Sequence, residues 1–278
     1  MEDAVRYPED VFYADCPIRS LTPFIGTSYA IEDGSVMVFP GAWIHAEIDV
    51  PQELRHDTSV SVHSRSTFAR LGLDMCIDQT EFQRIIFKKE PLTTIRVTII
   101  NEGLWPVVVR EGDTVAVASR SRLFQLAVER MYLHAGNTRI EIIEENLPSF
   151  EIPDFGMIRY IDPSRVKSSE YTRTVSFDTL HVHVGDYVVM SVKESVTLLP
   201  NRIGMVVPAT DNLIFFNSSV FAYPGWSGYL AIEFKAHQEI EIMPGMHLAY
   251  LLLFQHYRPL IPYSGKYNRQ EQQSIEPR

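Results

Sequence analysis

The feature that most constrains this chain is that its strand-and-turn pattern occurs twice in the same order. Asp33-Gly-Ser-Val-Met-Val-Phe-Pro-Gly41 is echoed by Asp178-Thr-Leu-His-Val-His-Val-Gly185, each an acidic turn, a strand and a Gly turn. Ile48-Asp-Val-Pro51 has its counterpart in Val196-Thr-Leu-Leu-Pro200. Val109–Ala118 parallels Met243–Leu252, and Phe124-Gln125 reappears as Phe254-Gln255. Matches in this order and spacing indicate two copies of one unit, over about 20–125 and 172–260. The expected division is an N-terminal copy over 1–125, a connector over 126–171 and a C-terminal copy over 172–278. The connector carries Pro148, Pro153 and Pro163.

Each copy reads as β-rich. Short β-branched or alternating runs recur at Ser35–Phe39, Ser59–Val62, Thr94–Ile100, Val107–Val109, Thr114–Ala118, Val182–Val184, Tyr187–Val192, Gly228–Phe234, Glu239–Ile242 and Leu248–Phe254. Turn signals such as Pro40-Gly41, Glu111-Gly112-Asp113, Pro224-Gly225 and Pro244-Gly245 separate them. The class expected is all-β, an antiparallel sandwich or barrel with few short helices. Arg122–Glu129 is the best helical pattern.

Composition bounds the function. The net charge of −10, from 35 acidic and 25 basic residues, opposes broad binding to a nucleic-acid backbone. It still allows a few Arg and Lys to gather round a small phosphorylated ligand. No apolar run reaches the roughly 18–20 residues of a membrane span, and the start, MEDAVRYPED, does not read as a secretory signal. No membrane partner and a cytoplasmic location are therefore expected. Cys16 and Cys76 allow a single disulfide but in a cytosolic chain read rather as two reduced thiols, and no Cys or His spacing suggests zinc.

Two motifs carry chemistry. In Ser64-Arg-Ser-Thr-Phe-Ala-Arg-Leu-Gly-Leu73, Arg65 and Arg70 flank a Ser66-Thr67 pair. The guanidinium fork suits phosphate, and turn hydroxyls and amides add donors. The same string also fits a solvated loop entering a short helix. In Pro224-Gly-Trp-Ser-Gly-Tyr-Leu-Ala-Ile-Glu-Phe234, a Gly-rich turn leads into a strand holding Glu233. By alternation Glu233 shares a face with Ala231 and Tyr229. A carboxylate in an apolar strand costs desolvation unless it has a partner or a task. Burial would raise its pKa and suit it to acid–base work; an exposed edge-strand Glu fits the pattern equally.

Together the two motifs resemble those of the dCTP deaminase and dUTPase superfamily, closest to dCTP deaminase. Arg65–Leu73 is similar to the family's GRSSLARLGL string, and Pro224–Phe234 to its PGWSG-to-Glu string. Glu194–Pro200 resembles the strand before the first motif, and Pro244-Gly245-Met246 a later turn. Gly265-Lys-Tyr-Asn-Arg-Gln270 is similar to the C-terminal tail that closes over the triphosphate. The resemblance spans about 200 residues and implies two tandem dUTPase-like units of distorted jelly-roll type.

It further implies hydrolytic deamination of dCTP, or a related cytosine deoxynucleotide, to dUTP and ammonia, with no catalytic metal. Glu233 would activate the water that attacks C4, Arg70 would hold carboxylate and water, and Ser66 would complete the catalytic set. Arg65, Ser66 and Thr67 would bind phosphate, Trp226 would shape the base and sugar pocket, and Lys266, Tyr267 and Gln270 would cover the triphosphate. Mg²⁺ would arrive with the nucleotide, which neutralises phosphate charge. Relatives assemble as trimers with sites between subunits, so a homo-oligomer is implied.

The chain departs from the family in dividing the motifs. Aligned by eye, the N-terminal copy has Ile100 where the Glu falls and Pro91–Ile95 where PGWSG falls, while the C-terminal copy has Gly204–Thr210 where the Arg motif falls. Each copy keeps what the other lost, which points to one complete site from complementary halves. Ala222-Tyr223 also replaces the usual Ile-Asp before PGWSG, which favours deamination over phosphoanhydride hydrolysis. A dUTPase or bifunctional enzyme, and a non-catalytic nucleotide-binding or assembly protein, are the alternatives.

Overall fold

A computed structural model describes residues 13–23, 28–31, 33–56, 59–77, 85–87, 92–120, 127–153, 155–209, 215–216 and 221–255. The first part contains β1 (Tyr13–Thr22), β2 (Ser28–Ala30), β3 (Val36–Val38), β4 (Trp43–Asp49), β5 (Ser59–Ser64), α1 (Ser66–Ala69), β6 (Leu73–Ile77), β7 (Ile85–Phe87), β8 (Thr94–Asn101), β9 (Val107–Val109) and β10 (Thr114–Arg120). The second contains β11 (Ala127–Ile142), β12 (Ser149–Ile152), β13 (Gly156–Arg159), α2 (Ser168–Tyr171), β14 (Thr172–Ser176), β15 (Leu180–Val182) and β16 (Tyr187–Thr197). It continues through β17 (Arg202–Pro208), β18 (Phe215–Phe216), β19 (Phe221–Ala222), β20 (Ser227–Lys235), β21 (Ile240–Ile242) and β22 (His247–Gln255).

Two large sheets organise these elements. The first runs β6-β8-β4-β1-β10-β5-β7 and the second β18-β20-β16-β11-β22-β17-β19, with β14 added on β11. Numbering the path strands of each half in chain order gives the same spatial order, 4-6-2-1-7-3-5, in both. The satellites correspond as well, since β3 pairs β9 in the first half and β15 pairs β21 in the second.

The middle strand of each half belongs to two layers. β1 pairs β10 over Tyr13–Pro17 and β4 over Ile18–Thr22, with register shifts at Cys16/Pro17 and Ile18/Ser20. Pro17 has no N–H to give a ladder, so a bulge is where it is tolerated. β11 likewise pairs β22 with its first part, and β16 and β14 with its second. A strand that bends from one sheet into the next forms the corner of a sandwich.

Alternation sets which side chains enter the layers. In β4, Ile44, Ala46 and Ile48 are buried between half-exposed Trp43, His45, Glu47 and Asp49. Ile95, Val97 and Ile99 of β8 and Leu73, Met75 and Ile77 of β6 meet them in one core. The second core gathers Leu133, Val188, Met190, Ile232, Phe234, Leu248 and Leu251.

The segment expected to be a connector divides in two. Ala127–Ile142 forms the long middle strand of the second sheet, and Ala127–Glu129 of the expected helix Arg122–Glu129 lie in it; 121–126 lie outside the described residues. The remainder packs on the first half. Leu147, Ile161 and Tyr171 enter the first core, while Ile152 meets Met37 and Val108. Asp162, 1% exposed, accepts two 2.6 Å bonds from Arg110 and further bonds from the backbone of Ser164 and Arg165. A buried charge is tolerable when paired and hydrogen-bonded in this way. No helix among the described residues is long and apolar enough to cross a membrane.

Candidate active site

The Arg-Ser motif leaves β5 and makes one helical turn. The amides of Phe68 and Ala69 both donate to Arg65 O, at 2.9 and 3.0 Å. Leu71 N then bonds Phe68 O and Gly72 N bonds Ala69 O, closing the turn. Phe68 and Leu71 are buried in the first core and anchor it. Gly72 is required on two counts. Its φ is +87°, and a Cβ there would stand 2.3 Å from Gly103 Cα. The 101–105 turn is thus pressed against the motif.

That turn is fixed by Asn101, which is fully buried. Its side-chain amide donates to Val38 O and Trp105 O, both at 2.8 Å, and its side-chain oxygen accepts from Gly103 N at 2.9 Å. Every polar atom is used, as a buried amide requires.

Glu233 comes from the second half. It lies on β20, flanked by β16 and β18, with Val189 as its ladder partner. Ile232, Glu233 and Phe234 are all buried, so both faces of the strand are covered here and the exposed-edge alternative does not hold. Arg70 Nε reaches across to 3.4 Å from Glu233 Oε1, with side chains only 9% and 3% exposed. Burial pushes the Glu233 carboxyl up to about 7, while the Arg70 guanidinium beside it pulls the other way. Burial wins, leaving a carboxyl that changes charge near neutrality.

Other contacts join the halves around this pair. The Tyr187 hydroxyl on β16 donates to the Ala69 carbonyl. Lys235 Nζ donates to Glu102 Oε2 at 2.7 Å, and the rings of His63 and Phe221 lie 4.1 Å apart. A half-open cavity of about 240 Å³ lies alongside, walled by Arg70, Gly103 and Trp105 from the first half and Arg139, Glu141 and Tyr187 from the second.

Arg65 Nη1 lies 3.2 Å from Asp15 Oδ2 on β1 and is partly exposed. Thr67 is half-buried on α1, and the backbone of Ser66 opens that helix, its side chain lying outside what is described. Trp226 is 5% exposed in the second core, and its carbonyl accepts from Leu198 N. Lys266, Tyr267 and Gln270 lie outside the described residues. Among the described residues, no group of three or more His, Cys, Asp or Glu is placed to hold a metal ion.

The first-half counterpart of Glu233 is Thr98, not Ile100. At the end of β4–β8, Gly41 N donates to Asn101 O and Asn101 N to Ala42 O, just as at the end of β16–β20 Gly185 N donates to Ala236 O and Ala236 N to Asp186 O. Counting back from these ends, Thr98 pairs His45 where Glu233 pairs Val189. Between the pairs Ser191↔Ala231 and Ser195↔Tyr229, β16 advances four residues and β20 two, an irregularity that the β4–β8 pair lacks. Sequence reasoning also missed Tyr187, Asn101 and Glu102. For Tyr187 the available signal was its place directly after the Gly185-Asp186 turn.

No protein-family model matches the sequence, and no curated protein does. Among solved structures, the chain is similar to 2'-deoxycytidine 5'-triphosphate deaminase from Agrobacterium tumefaciens, with a TM-score of 0.63 and 12% identity. The likeness covers 94% of this chain and 92% of that one. The two chains therefore share a dUTPase-like all-β fold along nearly their whole lengths.

Proposed function

We propose that this chain hydrolyses the exocyclic amine of a cytosine deoxynucleoside triphosphate, converting dCTP and water to dUTP and ammonia. The observation that carries this reading is the buried Glu233 carboxyl, titrating near 7 and held 3.4 Å from Arg70 of the other half. A general base works best with a pKa near the operating pH. Glu233 would take a proton from the water as its oxygen adds to C4, pass that proton to the ring nitrogen, and assist departure of the amine as ammonia. Arg70 would orient the carboxylate and keep part of it ionised. Mg²⁺ would enter with the triphosphate as part of the substrate.

The site would be one composite built from two related units, the first giving the Arg-Ser loop and the second the Glu strand. Support comes from the shared strand order of the halves and from the opposite origins of Arg70 and Glu233. Assembly as a homo-oligomer and closure of the tail bearing Lys266, Tyr267 and Gln270 over phosphate belong to the same proposal.

The test is incubation of purified protein with dCTP and Mg²⁺, with ammonia and nucleotide products measured. Formation of dUTP and ammonia is expected, and Glu233→Gln should lower kcat by about 10³-fold while nucleotide still binds. Release of dUMP would identify phosphoanhydride hydrolysis instead. Binding without turnover in the wild type would overturn the enzymatic reading.

A further inference from the structure

We propose that Tyr187 is a positioning residue, whose hydroxyl ties the backbone carrying Arg70 to the strand pair carrying Glu233 and so fixes the relation between base and guanidinium. The inference rests on the reading of Glu233 as general base, but its central measurement does not require turnover.

Arg70 and Glu233 belong to different halves, so no element within either half sets their separation. Tyr187 supplies a short link. It begins β16, and its neighbours Val188 and Val189 pair with Phe234 and Glu233. Its hydroxyl reaches Ala69 O, one residue before Arg70. Tyr187 and Arg70 also stand together in the wall of the cavity between the halves.

The bond is separable from the fold. Ala69 O also accepts from Gly72 N at 2.9 Å, so losing the phenol hydroxyl leaves that carbonyl satisfied within its own turn. What disappears is the connection across the halves. The charged and titratable groups around the hydroxyl are Glu233, Asp74, Arg70 and Glu102, with Lys235 bonded to Glu102. Burial, reinforced by Glu233, holds the phenol well above its ordinary value. It therefore stays protonated and remains a donor across the range in which Glu233 titrates.

Arg70 lowers the Glu233 pKa against the larger effect of burial. Loosening Arg70 must then move the Glu233 midpoint upward. The experiment is NMR titration of ¹³C-labelled glutamate carboxyls, with Glu233 assigned through Glu233→Gln. In Tyr187→Phe the Glu233 midpoint should rise by half a pH unit or more. With dCTP, kcat should fall roughly 5–10-fold with KM within twofold, and the acid limb of the pH profile should shift to higher pH. Val36→Ala, a core truncation in the β2–β3–β9 sheet, should lower stability without moving the midpoint. Should Tyr187→Phe fail to fold, Tyr187→Met fills the space without a donor and is read the same way. An unmoved midpoint in a folded variant overturns the proposal. Protein inert on dCTP whose midpoint still moves keeps this inference and removes the deaminase reading; active protein with an unmoved midpoint does the reverse.

Discussion

The two halves follow one strand order and part company at the end of one strand pair, β4–β8 in the first and β16–β20 in the second. In the first, β8 finishes in Asn101, whose side chain clamps a tight turn; in the second, β20 finishes next to Ala236, a buried methyl in the same backbone exchange. Two residues from the end of each ladder the contrast repeats, with Thr98 bonded to His45 in the first half and Glu233 beside Arg70 in the second. The difference teaches that each half is reinforced for its own task. The first half braces the 101–105 turn because Gly103 there backs the loop that presents Arg70. The second half buries a carboxyl, which the fold disfavours when charged.

The largest effect should separate Glu233 from Thr98. Glu233→Gln is expected to cost about 10³-fold in ammonia release from dCTP, whereas Thr98→Val should stay within about threefold, since the Thr98 hydroxyl bonds His45 of its own half and carries no carboxyl for acid–base work. Comparable losses at both positions would mean that two working sites exist.

Next comes the turn. Asn101→Ala removes three side-chain hydrogen bonds at a fully buried position and leaves their partners short of bonds. A loss of about 2–4 kcal/mol in urea unfolding is expected, accompanied by lower activity because Gly72 and Arg70 lose their backing. At the matching position, Ala236→Gly should cost only about 0.5–1 kcal/mol. Equal costs would show that the brace is not particular to the first half.

How much of this was legible in the sequence follows from which signals are local. Buried strands such as β4, β8 and β22 announce themselves by alternation or β-branched runs. The Arg70 and Glu233 motifs are contiguous strings and can be read directly. Ala127–Ile142 could not, because Glu129, Arg130, His134, Asn137, Arg139 and Glu141 dilute its apolar content; its strand conformation comes from β22 and β16 on either side, not from its own propensity. Trp226 sits beside a Gly turn, yet its burial depends on the second core. Thr98 was hidden because its correspondence to Glu233 is set by how β4 pairs with β8 and β16 with β20, and register belongs to the paired strands and not to either alone. Tyr187 and Arg70 are joined only by the docking of one half on the other.

A third, smaller effect concerns pH. The Glu233 carboxyl is raised from 4.5 to about 7, so the fold favours its neutral form. The stability this contributes is fully present below about 4.5 and is lost as pH climbs through 7. Glu233→Gln cannot ionise and escapes the loss. Relative to wild type it should gain about 2–3 kcal/mol between pH 5 and pH 8, measured by denaturant unfolding at each pH. Thr98→Val, with no titrating group removed, should show a difference from wild type that does not change over this range. A flat difference for Glu233→Gln would place the Glu233 carboxyl in a water-like environment and weaken the contrast between the halves.

The smallest effect is expected where the halves meet nearest solvent. Lys235 occupies the second-half position that Ile100 holds in the first, and its ammonium reaches the 101–105 turn through Glu102 at 2.7 Å. Both side chains are about one-third exposed, at 30% and 32%. Water screens such a pair and ordering two long side chains offsets its Coulomb gain, so exposed pairs contribute about 0–1 kcal/mol. A double-mutant cycle with Lys235→Met and Glu102→Gln should return a coupling below about 1 kcal/mol. A coupling above about 2 kcal/mol would make this ion pair a principal fastening between the halves. In that case the 101–105 turn would be held from the second half as firmly as by Asn101 from within its own.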